Sequence, residues 1–178
     1  MTAPAQLAPL LLRLSKLSPA VILIDGRSGS GKTALAIALR DHLGGDVLHL
    51  DDLYPGWGGL SEGSRAAAQA LADGRFSRFD WHTMAYAETV TLSRQGCLIV
   101  EGCGAITTTN VRAARQRSRG ARVHTIWLEC ADAVRRTRAL ARDGDVYRPY
   151  WAAWQAQEDA HIELEQPFAL AAEVIHCR

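Results

Sequence analysis

Several absences in this chain each remove a class of function. Its 20 basic and 19 acidic residues leave a net charge of only +1, so no global basic field points toward nucleic acid. The 4 cysteines show no C-x-x-C spacing, which argues against a zinc site. Three of them fall in or next to predicted strands and read as small buried residues of a protein kept in a reducing cytoplasm. No apolar run is long enough to span a bilayer. The N-terminal stretch has neither the basic start nor the cleavage site of a signal peptide. Its Leu7, Leu10, Leu11, Leu14 and Leu17 recur at helical spacing instead, which predicts a helix packed on a sheet. No internal repeat, low-complexity tract or linker divides the chain, so residues 1–178 are read as one domain. The guanine-reading Asn-Lys-x-Asp and the ABC-type Leu-Ser-Gly-Gly-Gln are both missing. A nucleotide-binding switch or NTPase acting on a protein partner is therefore only the alternative reading.

What is present is organised around Gly26-Arg27-Ser28-Gly29-Ser30-Gly31-Lys32-Thr33, which fits G-x-x-x-x-G-K-[ST]. The apolar, β-branched run 21–25 before it predicts a buried parallel strand, and the Ala/Leu-rich run of about 32–43 after it predicts a helix. Curled backbone N–H groups and a helix N-terminus together make a polyphosphate seat. Lys32 is expected to reach the β and γ phosphates and Thr33 to hold Mg²⁺. Further strands are expected at 47–50, 97–100, 123–128 and 174–176. Helices are expected at 63–73, 83–95, 110–118 with Asn110 as N-cap, 133–142 capped by Asp132, and 150–165 between Pro149 and Pro167. Alternating strands and helices give an α/β fold with a parallel sheet.

In such sheets ligands bind beyond the C-terminal strand ends. Asp51 follows the second strand and is assigned to deprotonate an incoming hydroxyl. Glu101 closes the third and, with Asp52 as helper, is assigned to Mg²⁺. Arg135, Arg138 and Arg142 are spaced i, i+3, i+7 and share a helix face. They are expected to contact the nucleotide's phosphates from a lid of about 135–150, with Gly144 supplying flexibility at its end. Tyr54, Trp57, Asp80, Trp81 and His82 are placed around the acceptor, in a segment of about 52–82. Tyr150, Trp151 and Trp154 read as core, and Glu158 and His161 as polar-face residues.

These motifs resemble the P-loop kinases of the uridine kinase group. The likeness rests on the phosphate loop, on Asp51-Asp52-Leu53-Tyr54, on Glu101-Gly102, on Arg138 to Asp143, and on Phe79-Asp80-Trp81 in the place of a Tyr-Asp-Phe segment. The resemblance implies a P-loop NTPase three-layer sandwich, a five-stranded parallel sheet in the order 2-3-1-4-5 with helices on both faces. It also implies ATP and Mg²⁺ as cofactors, a nucleoside or other sugar-like molecule as acceptor, and a cytoplasmic enzyme without membrane or nucleic-acid partners. A homodimer is left open. One departure is visible: no base-gripping β-hairpin is readable between the second and third strands.

Overall fold

The computed structural model describes residues 4–177. The chain begins with helix α1 (Pro4–Leu17), strand β1 (Val21–Gly26) and helix α2 (Lys32–Leu43). Strand β2 (Gly45–His49) runs into a single 3-10 turn, Leu50–Asp52. Helix α3 (Leu60–Asp73), a hairpin of β3 (Arg75–Asp80) and β4 (Ala85–Thr91), and strand β5 (Cys97–Glu101) follow. Helix α4 (Thr108–Ser118), strand β6 (Val123–Glu129), helix α5 (Asp132–Tyr147), helix α6 (Trp151–Glu165), the short helix α7 (Pro167–Leu170) and strand β7 (Glu173–His176) complete it.

Five parallel strands form the main sheet in the order β2-β5-β1-β6-β7. With the hairpin left out of the count, this is the expected 2-3-1-4-5. All six residues of β1 are buried, as a strand covered on both faces must be. Its alternate side chains part cleanly. Val21 and Leu23 join the core beneath α3, α4 and α6, while Ile22 and Ile24 join the core beneath α1 and α2. Leu10 and Leu14 are the buried stripe of α1, so the leucine spacing of the N-terminal segment builds the second layer. Among the described residues no helix is long and apolar enough to cross a membrane.

The expected helix over 83–95 is corrected: β4 pairs antiparallel with β3 there. Almost every β4 residue is exposed, so no buried stripe sets its period, although Tyr86, Thr89, Val90 and Thr91 are strand-favouring residues. The hairpin that the sequence did not show is therefore present. Three boundary expectations also change. Thr107 caps α4, its hydroxyl accepting from the Asn110 amide at 2.9 Å, and Asn110 itself is buried inside the helix. Asp132 is the first residue of α5 rather than its cap. Pro167 starts α7 as well as ending the helix before it. Gly144 breaks α5 with φ 54 and ψ −133. The cysteines are not all unpaired. Cys97 and Cys103 are free and buried, but Cys130 and Cys177 form a disulfide across 5.1 Å between their Cα atoms. Register explains it: Glu129 faces His176 in the β6–β7 pair, so the next residue of each strand meets its counterpart.

Candidate active site

The phosphate loop leaves β1 and enters α2 with Gly29 at φ 80 and Gly31, the helix N-cap, at φ 100. Both values belong to glycine. At Gly29 the constraint is also one of space, since a Cβ would lie 2.0 Å from the Arg135 carbonyl oxygen. The first turn of α5 therefore rests directly on the loop. Before the loop, buried Asp25 spreads its carboxylate over three backbone amides: Gly26 at 2.7 Å, Gly104 at 3.1 Å and Ile106 at 2.8 Å. It ties the loop to the segment that follows β5.

A cleft of about 1150 Å³ opens at the C-terminal edge of the sheet. Ser28, Gly29, Gly31, Lys32 and Thr33 form its floor. Asp51, Glu101 and the α5 residues Arg138 and Arg142 stand around it, and Trp57, Trp81 and His82 line it as well. The Lys32 ammonium donates to the Arg27 carbonyl at 3.1 Å and contacts Cys103 Sγ at 3.4 Å. Burial disfavours its charge, but the carboxylates of Glu101, Glu158 and Asp25 around it prevail and raise its pKa. Burial pushes the Cys103 thiol up to about 12, so it stays a neutral thiol. Thr33 Oγ1 donates to Glu101 Oε1 at 3.0 Å, and His49 Nδ1 meets the same oxygen at 2.6 Å. The hydrogen bond to Glu101 raises the pKa of His49.

Asp51 is exposed to the empty cleft yet lies deep within it. Loss of solvation, then the charge of Glu101, raises its pKa, while Lys32, Arg142 and His49 pull the other way. Its main chain is held by Trp81, whose indole N–H donates to the Asp51 carbonyl at 2.8 Å. Trp57 stacks on Tyr150 (4.7 Å, 7°) and on Tyr147 (5.3 Å, 15°), and leans on Trp81 at 4.8 Å. The loop that carries Trp57 and the end of α5 are joined by this stack.

Four of the proposed site residues lie elsewhere. Tyr54 is buried and donates to the Cys103 carbonyl at 2.8 Å, a core position. Asp80 organises the hairpin turn, accepting from the His82 amide and the Thr83 hydroxyl. Asp52 faces the hairpin, 3.7 Å from Arg78. Arg135 is 1% exposed and pairs with Asp132 and Glu158 while stacking over Trp151. Of the loop residues, Arg27 turns outward to Glu158 and Asp159, and Ser30 is fully buried. Arg142 does reach the cleft, with a two-pronged bond to Asp143. Arg138 lines it too and contacts Cys130 Sγ at 3.7 Å.

Sequence reasoning missed Asp25, His49, Cys103, Tyr147 and Glu158. For Glu158 a signal existed. It stands i+7 from Trp151 and i+4 from Trp154, which places it on the tryptophan face rather than the polar one. It is 2% exposed.

The profile of the zeta toxin family matches residues 11–173. The chain belongs to the zeta toxin family. No curated protein matches it. Among solved structures this zeta toxin family member is similar to a gluconokinase from Sinorhizobium meliloti 1021, with 17% identity, TM-score 0.53, and 89% of this chain and 82% of that one covered. It is also similar to a protein from Silicibacter sp. TM1040 described as a fructose transport system kinase, with 19% identity, TM-score 0.55, and coverage of 95% and 98%. The shared feature is the P-loop kinase fold, which matches the expected class. The narrower expectation of the uridine kinase group is not what the family profile names.

The donor set suits the groups that this fold takes up. The loop's backbone cradle has no room for side chains at Gly29, and Thr33 with Glu101 offers a hydroxyl and a carboxylate 3.0 Å apart. Mg²⁺ commonly sits on one or two protein oxygens and completes its shell with water and phosphate. No cluster of three or more His, Cys, Asp or Glu able to hold a metal occurs among the described residues.

Proposed function

We propose that this zeta toxin family member is an ATP- and Mg²⁺-dependent kinase that phosphorylates a hydroxyl of a small, sugar-like molecule, a nucleoside being one such acceptor. The observation that carries this reading is that one cleft holds both the phosphate loop and the Asp51 carboxylate, with Arg138 and Arg142 beside them. Asp51 accepts the proton of the acceptor hydroxyl. That oxygen forms the new bond to the γ phosphorus, the bond to the β–γ bridging oxygen breaks, and ADP leaves. Lys32, Arg138 and Arg142 neutralise charge on the transferring group, which is how phosphoryl transfer is mostly catalysed. Thr33 and Glu101 would hold Mg²⁺, which would supply neutralisation of the phosphate charge.

The acceptor side supports a ring-shaped compound with hydroxyls. Trp57, Trp81, Tyr147 and Trp154 supply apolar faces, and His82 and Asp51 supply the polar groups, a combination typical of small-molecule sites. Two proteins that share the fold, a gluconokinase and one described as a fructose transport system kinase, support a sugar-like acceptor. Acceptors are screened with ATP and Mg²⁺ by ADP formation. Turnover that depends on a hydroxylated compound and collapses in Asp51→Asn supports the assignment. Hydrolysis indifferent to every small molecule but raised by a protein would overturn it.

A further inference from the structure

We propose that Glu158, outside the cleft on α6, is the positioning residue of the phosphate-binding loop. The inference rests on the kinase reading above and adds to it a residue that touches neither nucleotide nor acceptor. The Glu158 carboxylate is buried and divided between two tasks. Oε1 accepts from the Ser28 backbone amide at 2.7 Å and from the Cys103 thiol at 3.4 Å. Oε2 faces the guanidinium groups of Arg135 at 3.3 Å and Arg27 at 3.6 Å. One side chain thus joins the phosphate loop, the segment after β5, and the first turn of α5.

The bond to Ser28 sets the direction of the loop. A charged acceptor on a backbone amide makes a strong hydrogen bond, and it holds the Arg27–Ser28 peptide with its N–H turned away from the cleft. The chain then reverses through Gly29, whose φ of 80 and lack of a Cβ let it pass against the Arg135 carbonyl. Arg135 itself is fixed by Glu158. The floor of the cleft and the helix bearing Arg138 and Arg142 are therefore registered by the same carboxylate. Asp159 also pairs with Arg27 and Asp132 with Arg135, but at other nitrogens, and Arg27 Nη1 and Arg135 Nη2 are buried without a hydrogen-bond partner. Glutamine at 158 would remove the charge that the two guanidiniums share and would weaken the hold on the Ser28 peptide, because a neutral amide oxygen accepts less strongly than a carboxylate.

The test is ATP affinity measured by titration calorimetry on the full chain, wild type against Glu158→Gln, with circular dichroism to confirm folding. Glu158→Gln should bind ATP about tenfold more weakly, the scale of one charge-assisted hydrogen bond, and its KM for ATP should rise while the acceptor KM stays put. A residue serving only packing would lower thermal stability and leave both constants alone. ATP binding within twofold of wild type would overturn the proposal. Residue-resolved hydrogen exchange on the wild type gives a second reading that needs no variant: the Ser28 amide should be strongly protected without nucleotide, and exchange at the rate of an open loop would equally overturn it. A wild type that binds no ATP would instead bring down the kinase reading, and this inference with it.

Discussion

Replacing Trp57 by Ala should release the end of α5 from the acceptor loop. The indole is the only group that touches both sides of this junction through stacked rings among the described residues, with Tyr147 and Tyr150 beyond the Gly144 break and Trp81 on the hairpin. Each stacked aromatic pair contributes about 0.5–1.5 kcal/mol beyond area burial. Two such pairs give about 1–3 kcal/mol, which shifts the opening equilibrium of the segment by about 5- to 150-fold. Arg142 lies two residues before the break and has a well-exposed side chain, so trypsin cleavage after it reports the opening. When reclosing is fast, the cleavage rate follows the open population. Trp57→Ala should be cut after Arg142 faster by that factor, and Trp57→Phe, which keeps a ring in the stack, should be cut at close to the wild-type rate. Equal cleavage of Trp57→Ala and wild type, with both folded, would refute the reasoning.

Two further outcomes follow from the site. Asp25→Ala strands three buried amides, at about 1 kcal/mol or more each, so thermal denaturation should show a loss of at least about 3 kcal/mol, or roughly 6–12 °C for a chain of this size. A loss below about 1 kcal/mol would mean the three amides find other partners. The raised pKa of Asp51 has a definite sign. Its working form is the carboxylate, so kcat/KM should fall as pH is lowered, with an inflection above the ordinary 3.8. Because the folded state disfavours the charged form, the stability this group contributes is present below its unfolded pKa and is lost as pH rises through the folded value. Asp51→Asn should therefore melt no lower than wild type at neutral pH, and a markedly lower melting point would contradict the assigned environment.

Much of the fold was legible because its determinants are local. The phosphate loop is eight consecutive residues between an apolar strand and an Ala-rich helix, and Asp51 and Glu101 follow strands directly, so their place at one sheet edge comes with the topology. Other features depend on contacts far along the chain. The hairpin exists because β4 pairs with β3; Tyr86, Thr89, Val90 and Thr91 favour a strand, but the exposed residues 85–91 carry no apolar alternation to mark one. Asp25 finds its amides at Gly104 and Ile106, 79 and 81 residues away. The disulfide follows from the β6–β7 register. Arg135 shares a face with Arg138 and Arg142, but the first turn of α5 lies against the loop rather than over the cleft, so a correct periodicity still put it in the wrong place. Tyr54 was drawn to the acceptor by its neighbours in sequence, while the 3-10 turn Leu50–Asp52 directs it inward beneath Cys103.

The central claim is that one carboxylate works across a cleft from a nucleotide seat. The most direct measurement is ADP release from ATP and Mg²⁺ across a panel of sugars and nucleosides, in wild type and in Asp51→Asn. Wild type should release ADP in proportion to one hydroxylated acceptor. Asp51→Asn should lose at least about 100-fold of that turnover, the usual contribution of a general base, while still binding ATP. Undiminished acceptor turnover in Asp51→Asn, or ADP release that no hydroxylated compound alters, would contradict it.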